Sequence, residues 1–137
     1  MTSFATLFAV LSVLTMSALS FSANIPSNVN SLGCYHNDIV PAGNGFGYTS
    51  SQMTVENCYN VCSLANLKYF ALYSSDGIHG DSCYCLSTLS SQATIGTDAS
   101  CTLPCEGDST QTCGAGTSSN GYNDLYTYNP VVGAVDG

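Results

Sequence analysis

The chain has 137 residues and eight cysteines, with a single basic residue, Lys68, against nine Asp and Glu, for a formal net charge of −8. So acidic a protein repels the phosphates of nucleic acid, and anionic lipid and acidic polysaccharide are disfavoured for the same reason, whereas a neutral ligand meets no such barrier. The length suits one small domain with a thin core and leaves no room for a second.

Residues 4–20 form an almost unbroken apolar run at the N-terminus and read as the centre of a secretory signal peptide over 1–23, with cleavage expected after Ser20, Ser22 or Ala23. No Lys or Arg precedes the run, a departure from the usual positive start. As a membrane span it would be short and too rich in Ser and Thr. Residues 24–31 are polar, contain a proline and read as a loose leader, so the ordered domain is expected over 32–128, followed by a tail over 129–137. That tail is too short and too polar for a span or a lipid-anchor signal. The expectation is a secreted protein, extracellular or in a cell wall, with no membrane anchor in its mature form.

Cys34, Cys58, Cys62, Cys83, Cys85, Cys101, Cys105 and Cys113 all follow the apolar run. An even count behind a signal peptide implies a disulfide framework. Bridges of about 2–4 kcal/mol each would then stand in for the core that so small a domain lacks. A zinc site built from Cys58, Cys62, Cys83 and Cys85 would instead suit a reducing compartment; no metal and no cofactor are expected.

Thr54 is placed to cap a helix, its hydroxyl facing the amide of Asn57 while Glu56 in the first turn suits the helix dipole. The helix is predicted to run to about Asn66, with Cys58, Val61, Cys62 and Ala65 on its buried face. Strands are predicted over 69–73, 82–86 and 124–128 from their aromatic and alternating content, with Gly77 and Gly80 marking the turn between the first two. The Ser/Thr-rich stretches 87–100 and 109–120 read as surface loops held at both ends by cysteines.

One geometric coincidence ties these pieces together. Cys58 and Cys62 are separated by a helical rise of about 6 Å, and Cys83 and Cys85 by a strand rise of about 6.6 Å on one face. Two side-by-side disulfides can therefore staple the helix across the strand; spacing leaves open which helical cysteine meets which strand cysteine.

Gly33-Cys34-Tyr35, then 53–58 ending in Cys58 with Cys62 four residues on, then Cys83-Tyr84-Cys85, then Cys101 and Cys105, Gly107-Asp108 and Cys113-Gly114 together resemble the WSC domain family over about 32–128. The resemblance implies a small α+β fold, a disulfide-rich antiparallel sheet crossed by one or two helices and similar to the PAN or apple fold. It also implies the pairs Cys34 with Cys101, Cys58 with Cys83, Cys62 with Cys85, and Cys105 with Cys113. Three departures are visible: Leu86 stands where the family usually has glycine after the Cys-x-Cys pair, Cys113-Gly114-Ala115 replaces Cys-Gly-Gly, and the 74–82 segment is long. All three are expected at loop or edge positions. The stalk, transmembrane helix and catalytic domains that accompany this domain in other family members are not evident, so the chain reads as a free module.

The resemblance implies a non-catalytic, lectin-like module that binds neutral cell-wall polysaccharide, with a β-glucan favoured. The alternative is a protein-interaction or self-associating wall or effector module without glycan binding; weak self-association fits the low charge content. Sugar binding calls for aromatic rings laid against a pyranose face, with carboxylates and amides reaching its hydroxyls. Of nine tyrosines, Tyr48, Tyr73, Tyr84 and Tyr122 are the chosen candidates, being expected in loops or on the strand face opposite the cysteines. Asp76, Asp81, Asn44 and Asn123 are the matching hydrogen-bonding candidates. Glu56 and Glu106 could nominally form a hydrolase pair, but Glu56 is explained by the helix start and Glu106 by its position between cysteine-held turns. His36 and His79 read as exposed polar loop residues, so no catalytic residue is assigned.

Overall fold

The computed structural model describes residues 25–40, 44–117 and 119–130; the signal peptide expected over 1–23 and residues 131–137 of the tail lie outside them. The strands are β1 (Val29–His36), β2 (Phe46–Thr49), β3 (Tyr69–Tyr73), β4 (Ser82–Leu86) and β5 (Tyr122–Tyr128), and the helix is α1 (Val55–Leu64). Short 3₁₀ turns occupy Asn37–Ile39 and Asp98–Ser100. All strand pairs are antiparallel, in the order β1-β5-β3-β4-β2, and α1 lies across one face against β3 and β4.

β3 and β4 fall where the alternation predicts them, and β5 begins two residues before its expected start. β1 runs through the segment that reads as a loose leader: Val29 pairs with Tyr128, so the ordered fold begins before Leu32. The polar sequence of 29–31 carries no strand pattern of its own. Its pairing is imposed by the backbone of β5, and Asn28 reinforces it by donating to the Tyr59 hydroxyl and the Asn129 carbonyl, both at 3.0 Å. The register shifts between Ser31 and Gly33, where Gly33 takes φ 105°, a conformation that favours glycine.

Thr54 caps α1 as expected, its Oγ1 accepting from the Asn57 amide at 3.0 Å. The helix stops earlier than predicted because Asn66 takes a left-handed φ of 57°, which breaks the ladder just past Ala65. Ala65 is consequently exposed rather than on the buried face.

Four disulfides hold the domain: Cys34–Cys101, Cys58–Cys83, Cys62–Cys85 and Cys105–Cys113. The middle two run side by side from α1 to β4, with Cα–Cα distances of 5.6 and 5.2 Å. They belong to a core under the helix that includes Met53, Val55, Phe70, Leu72, Tyr126 and Tyr128, in which the Phe70 and Tyr126 rings stack at 5.0 Å. A smaller core of Ile39, Ala71, Leu86 and Leu125 fills the opposite face. Leu86 is therefore not a loop or edge substitution: it is fully buried in an interior strand and supplies apolar volume to the second core where glycine would supply none.

On the disulfide face, β5 also presents Asp124, whose carboxylate accepts from the Gly114 amide at 2.9 Å and so ties the Cys105–Cys113 loop to the sheet. Burial pushes the Asp124 carboxyl up, with the hydrogen bonds from Gly114 and Thr112 opposing the shift. A carboxyl raised on folding favours the folded state while protonated, and that contribution is lost as pH rises through the folded pKa. Asp124→Asn should therefore gain stability relative to the parent as pH is raised from about 3 to about 6; parallel denaturant titrations across that range would check the sign. Thr54→Ala removes the cap and should lower stability by about 1 kcal/mol in the same assay.

Candidate functional site

Side chains alternate across a strand, so once Cys83 and Cys85 are turned toward α1, Ser82, Tyr84 and Leu86 must face the other way. Cross-strand pairing extends the rule: Tyr84 lies beside Ala71, and Tyr73 beside Ser82. Tyr73 and Tyr84 thus stand on the face without the staple, both half-buried. On β5, Asn123 pairs across β1 with Tyr35 and joins the same face.

Tyr73, Tyr84 and Asn123 border an open depression of about 210 Å³ completed by Asn37, Ile39 and Val40. Its lining carries aromatic rings, apolar carbons and two amides, and no charged group. The buried Asn123 Nδ2 donates to Asn37 Oδ1 at 3.1 Å. The Asn37 Nδ2 has no hydrogen-bond partner among the described residues. Partial burial raises the Tyr73 phenol, the hydrogen bond with Ser82 lowers it, and the charge of Asp81 adds to the rise, so the hydroxyl is a neutral donor across the physiological range.

β2 shapes the floor. A Cβ at Gly47 would lie 2.8 Å from Tyr84 Cδ2 and 3.4 Å from the Tyr73 hydroxyl, and one at Gly45 would lie 2.9 Å from Tyr84 Cε1. The Tyr84 ring is therefore laid over bare backbone, which leaves its other side available. Gly45 also has φ 124°, so a side chain there would meet both strain and collision.

The remaining sequence candidates are placed elsewhere. Tyr48 is neither in a loop nor on the tyrosine face: it sits in β2 opposite Cys83, packs against the helix-side core and donates its hydroxyl to the Asn57 carbonyl at 3.1 Å. The period-2 pattern could not reveal this, because β2 is a short edge strand of mostly exposed residues. Asn44 is occupied at the far end of β4, donating to Thr88 Oγ1 at 2.6 Å and accepting from Ser87. Asp81 precedes β4 and accepts from the Ser82 hydroxyl at 2.8 Å, near the tyrosines but not lining their depression.

Asp76 organises a turn instead, accepting from the amides of Ile78 and His79 and meeting His79 Nδ1 at 2.6 Å. Those bonds hold its carboxyl well below the usual range and raise the His79 imidazole in return. His79 Nε2 also lies 3.9 Å from Glu106, which links this turn to the Cys105–Cys113 loop. Tyr122 opens β5 with its ring 4.5 Å from that of His36 and against Gly96; His36 itself ends β1 rather than lying in a loop.

A second, wider hollow of about 520 Å³ adjoins the first, sharing Asn37 and bordered by His36, Asp38, Thr94 and Asn120. Asn37, Ile39, Val40 and this second group escaped sequence reasoning. The run His36-Asn37-Asp38 reads as turn-forming polar residues, and nothing local says that a turn there folds back over the sheet end. The sulfurs of Cys58, Cys62 and Cys83 cluster closely enough to suggest a metal site, but only because the two bridges are adjacent. Among the described residues no cysteine is free to supply a thiolate.

Together these features define a small disulfide-rich α+β domain with an uncharged aromatic and amide depression on the face away from its bridges. The WSC domain family matches residues 31–115, and the chain belongs to that family, which is one of carbohydrate-binding-type modules. A Chaetomium globosum protein named "Putative fungistatic metabolite" is 33% identical over 69 residues, covering 50% of this chain and 28% of its own length. A WSC domain-containing protein of Arthroderma benhamiae is likewise 33% identical over 69 residues, covering 50% of this chain and 9% of its own. The matched part of this chain thus corresponds to less than a third of either fungal relative. No helix among the described residues is long and apolar enough to cross a membrane.

Gly47→Ala tests how the site is built. It should tilt the Tyr84 ring while leaving the sheet and bridges in place, seen as shifted Tyr84 ring resonances with an unchanged far-UV spectrum.

Proposed function

We propose that the protein is a secreted, non-catalytic module that binds neutral cell-wall polysaccharide, a β-glucan in preference, through the depression formed by Tyr73, Tyr84 and Asn123. The observation that carries this reading is the uncharged pairing of two half-buried tyrosines with two amides on one sheet face. A pyranose ring offers an apolar face to an aromatic side chain and a rim of hydroxyls to amides and phenols, and this lining supplies both kinds of partner. Membership of the WSC family supports the carbohydrate class, and the net charge of −8 favours neutral over acidic chains.

A hydrolytic role lacks comparable support. Glu56 lies in the first turn of α1 and Glu106 beside His79, and neither borders either hollow. Secretion is supported by the four disulfides, which persist in oxidising compartments.

The test is retention of the oxidised protein on insoluble β-1,3-glucan, chitin, xylan and mannan, with a reduced sample as fold control. Selective depletion by β-glucan is expected. Tyr84→Ala and Tyr73→Ala should each weaken it about tenfold, or about 1.4 kcal/mol, the scale of one aromatic contact. Tyr48→Phe, which alters only the helix-side face, should bind like the parent. Failure to bind any of the four polysaccharides would overturn the reading.

A further inference from the structure

The tyrosine depression is small for a ligand site. At about 210 Å³ it falls below the range of roughly 300–1,000 Å³ common for such sites. The adjoining hollow, at about 520 Å³, lies within it. The two meet at Asn37, and their chemistries differ: rings, apolar carbons and two amides in the first; a carboxylate, an imidazole, amides and two hydroxyls in the second.

The walls of the second hollow are tied down by the fold. On one side, the His36 amide donates to the Thr94 carbonyl at 2.9 Å and the Gly96 amide to the Cys34 carbonyl at 2.7 Å, which fastens the 94–96 segment to the end of β1. Asp38 completes this wall, accepting from the Thr94 amide at 3.1 Å and its hydroxyl at 2.7 Å. Burial pushes the Asp38 carboxyl up, but these bonds and the nearby His36 together outweigh it and leave the carboxyl lowered, so it is an ionised acceptor at neutral pH with lone pairs still turned to solvent. On the other side, the Asn120 amide closes a turn onto the Thr117 carbonyl at 3.1 Å. A Cβ on Gly121 would come within 2.4 Å of that carbonyl oxygen, so this turn is packed as tightly as glycine allows.

We propose that this polar hollow is a second sugar subsite, joined to the tyrosine subsite through Asn37, so that a linear neutral glycan is held around the end of the sheet over at least two neighbouring residues. The inference rests on the reading of Tyr73 and Tyr84 as glycan contacts and extends it. One sugar lies against the tyrosines. The next offers hydroxyls to Asp38, Thr94 and Asn120, and the free Asn37 Nδ2 donates between them. With no Lys or Arg in either lining and the Asp38 carboxylate in the second, the ligand is a polyol and not a uronic acid or phosphorylated sugar.

The test is an NMR and calorimetric titration of the full protein with glucose and with β-1,3-gluco-oligosaccharides from disaccharide to hexasaccharide, with chito-oligosaccharides in parallel. Affinity should rise by about tenfold or more from glucose to the oligosaccharides and then level off, and the Asp38, Thr94 and Asn120 amides should shift with the oligosaccharides and not with glucose. Asp38→Asn, which keeps an acceptor for the Thr94 amide, and Asn120→Ala should each cut the gain from glucose to oligosaccharide; Tyr84→Ala should weaken glucose and every length. Length-independent affinity in the parent, or an undiminished gain in both polar variants, would overturn the second subsite and leave the tyrosine site standing. Absence of binding by any oligosaccharide would overturn both.

Discussion

The arrangement of the domain follows from the double bridge between α1 and β4. Four residues of helix and two residues of strand advance by nearly the same distance, about 6 Å and 6.6 Å, so Cys58 meets Cys83 and Cys62 meets Cys85 without bending either element. One such bridge would leave the helix free to pivot about it. Two fix both its position along the strand and its direction, and they do so in a chain whose fully buried side chains include few larger than leucine. Closing loops across 25 and 23 residues restricts the unfolded chain by about 3 kcal/mol for a single bridge of that size. Covalent constraint thus does here what a deeper core does in a larger domain.

The same staple also presents the candidate site. Because strand side chains alternate, committing Cys83 and Cys85 to the helix leaves Tyr84, the residue between them, no choice but the far face. β3 copies that choice through its register: Phe70 and Leu72 go beneath the helix, and Ala71 and Tyr73 go outward. Ala71 keeps the centre of the outer face low, and Gly47 of β2 and Gly45 just before it leave the backbone bare under the Tyr84 ring. Tyr84 is held by a strand whose other face is cross-linked and Tyr73 by the strand paired with it, so little conformational freedom remains for them to lose on meeting a ligand.

How much of this could be read from the sequence depends on how local the cause is. The helix cap, the buried helix cysteines and the strands β3 and β4 were legible because Thr54, the i, i+4 cysteines and the Cys83-Tyr84-Cys85 alternation each act within a few residues. The outward face of Tyr73 and Tyr84 was legible for the same reason, whereas Asn123 lay outside the predicted strand and its face was not. β1 and β2 were not, since 29–31 and 46–49 are held by partners far along the chain, β5 and β4. That is also why Tyr48 was misplaced: its face is set by opposing Cys83. Asn37, Thr94 and Asn120 lie far apart in sequence and meet only because the end of β1, the 94–96 segment and the 117–121 turn are gathered at one end of the sheet.

The charge distribution bears on ligand choice in a way the fold alone does not. Lys68, the single cation, lies against Tyr69 at the opposite end of β3 from Tyr73, and His79 is engaged by Asp76. Neither borders the hollows, where Asp38 and His36 line the wider one and the charge of Asp81 acts on Tyr73. An acidic saccharide would meet repulsion from Asp38 there with no Lys or Arg to offset it, whereas a neutral one can turn Asp38 into a hydrogen-bond acceptor for its hydroxyls. On the proposed reading, the acidity that appears in the composition as an exclusion becomes, at this position, a means of selection, because the carboxylate that turns away anions is also an acceptor a polyol can use.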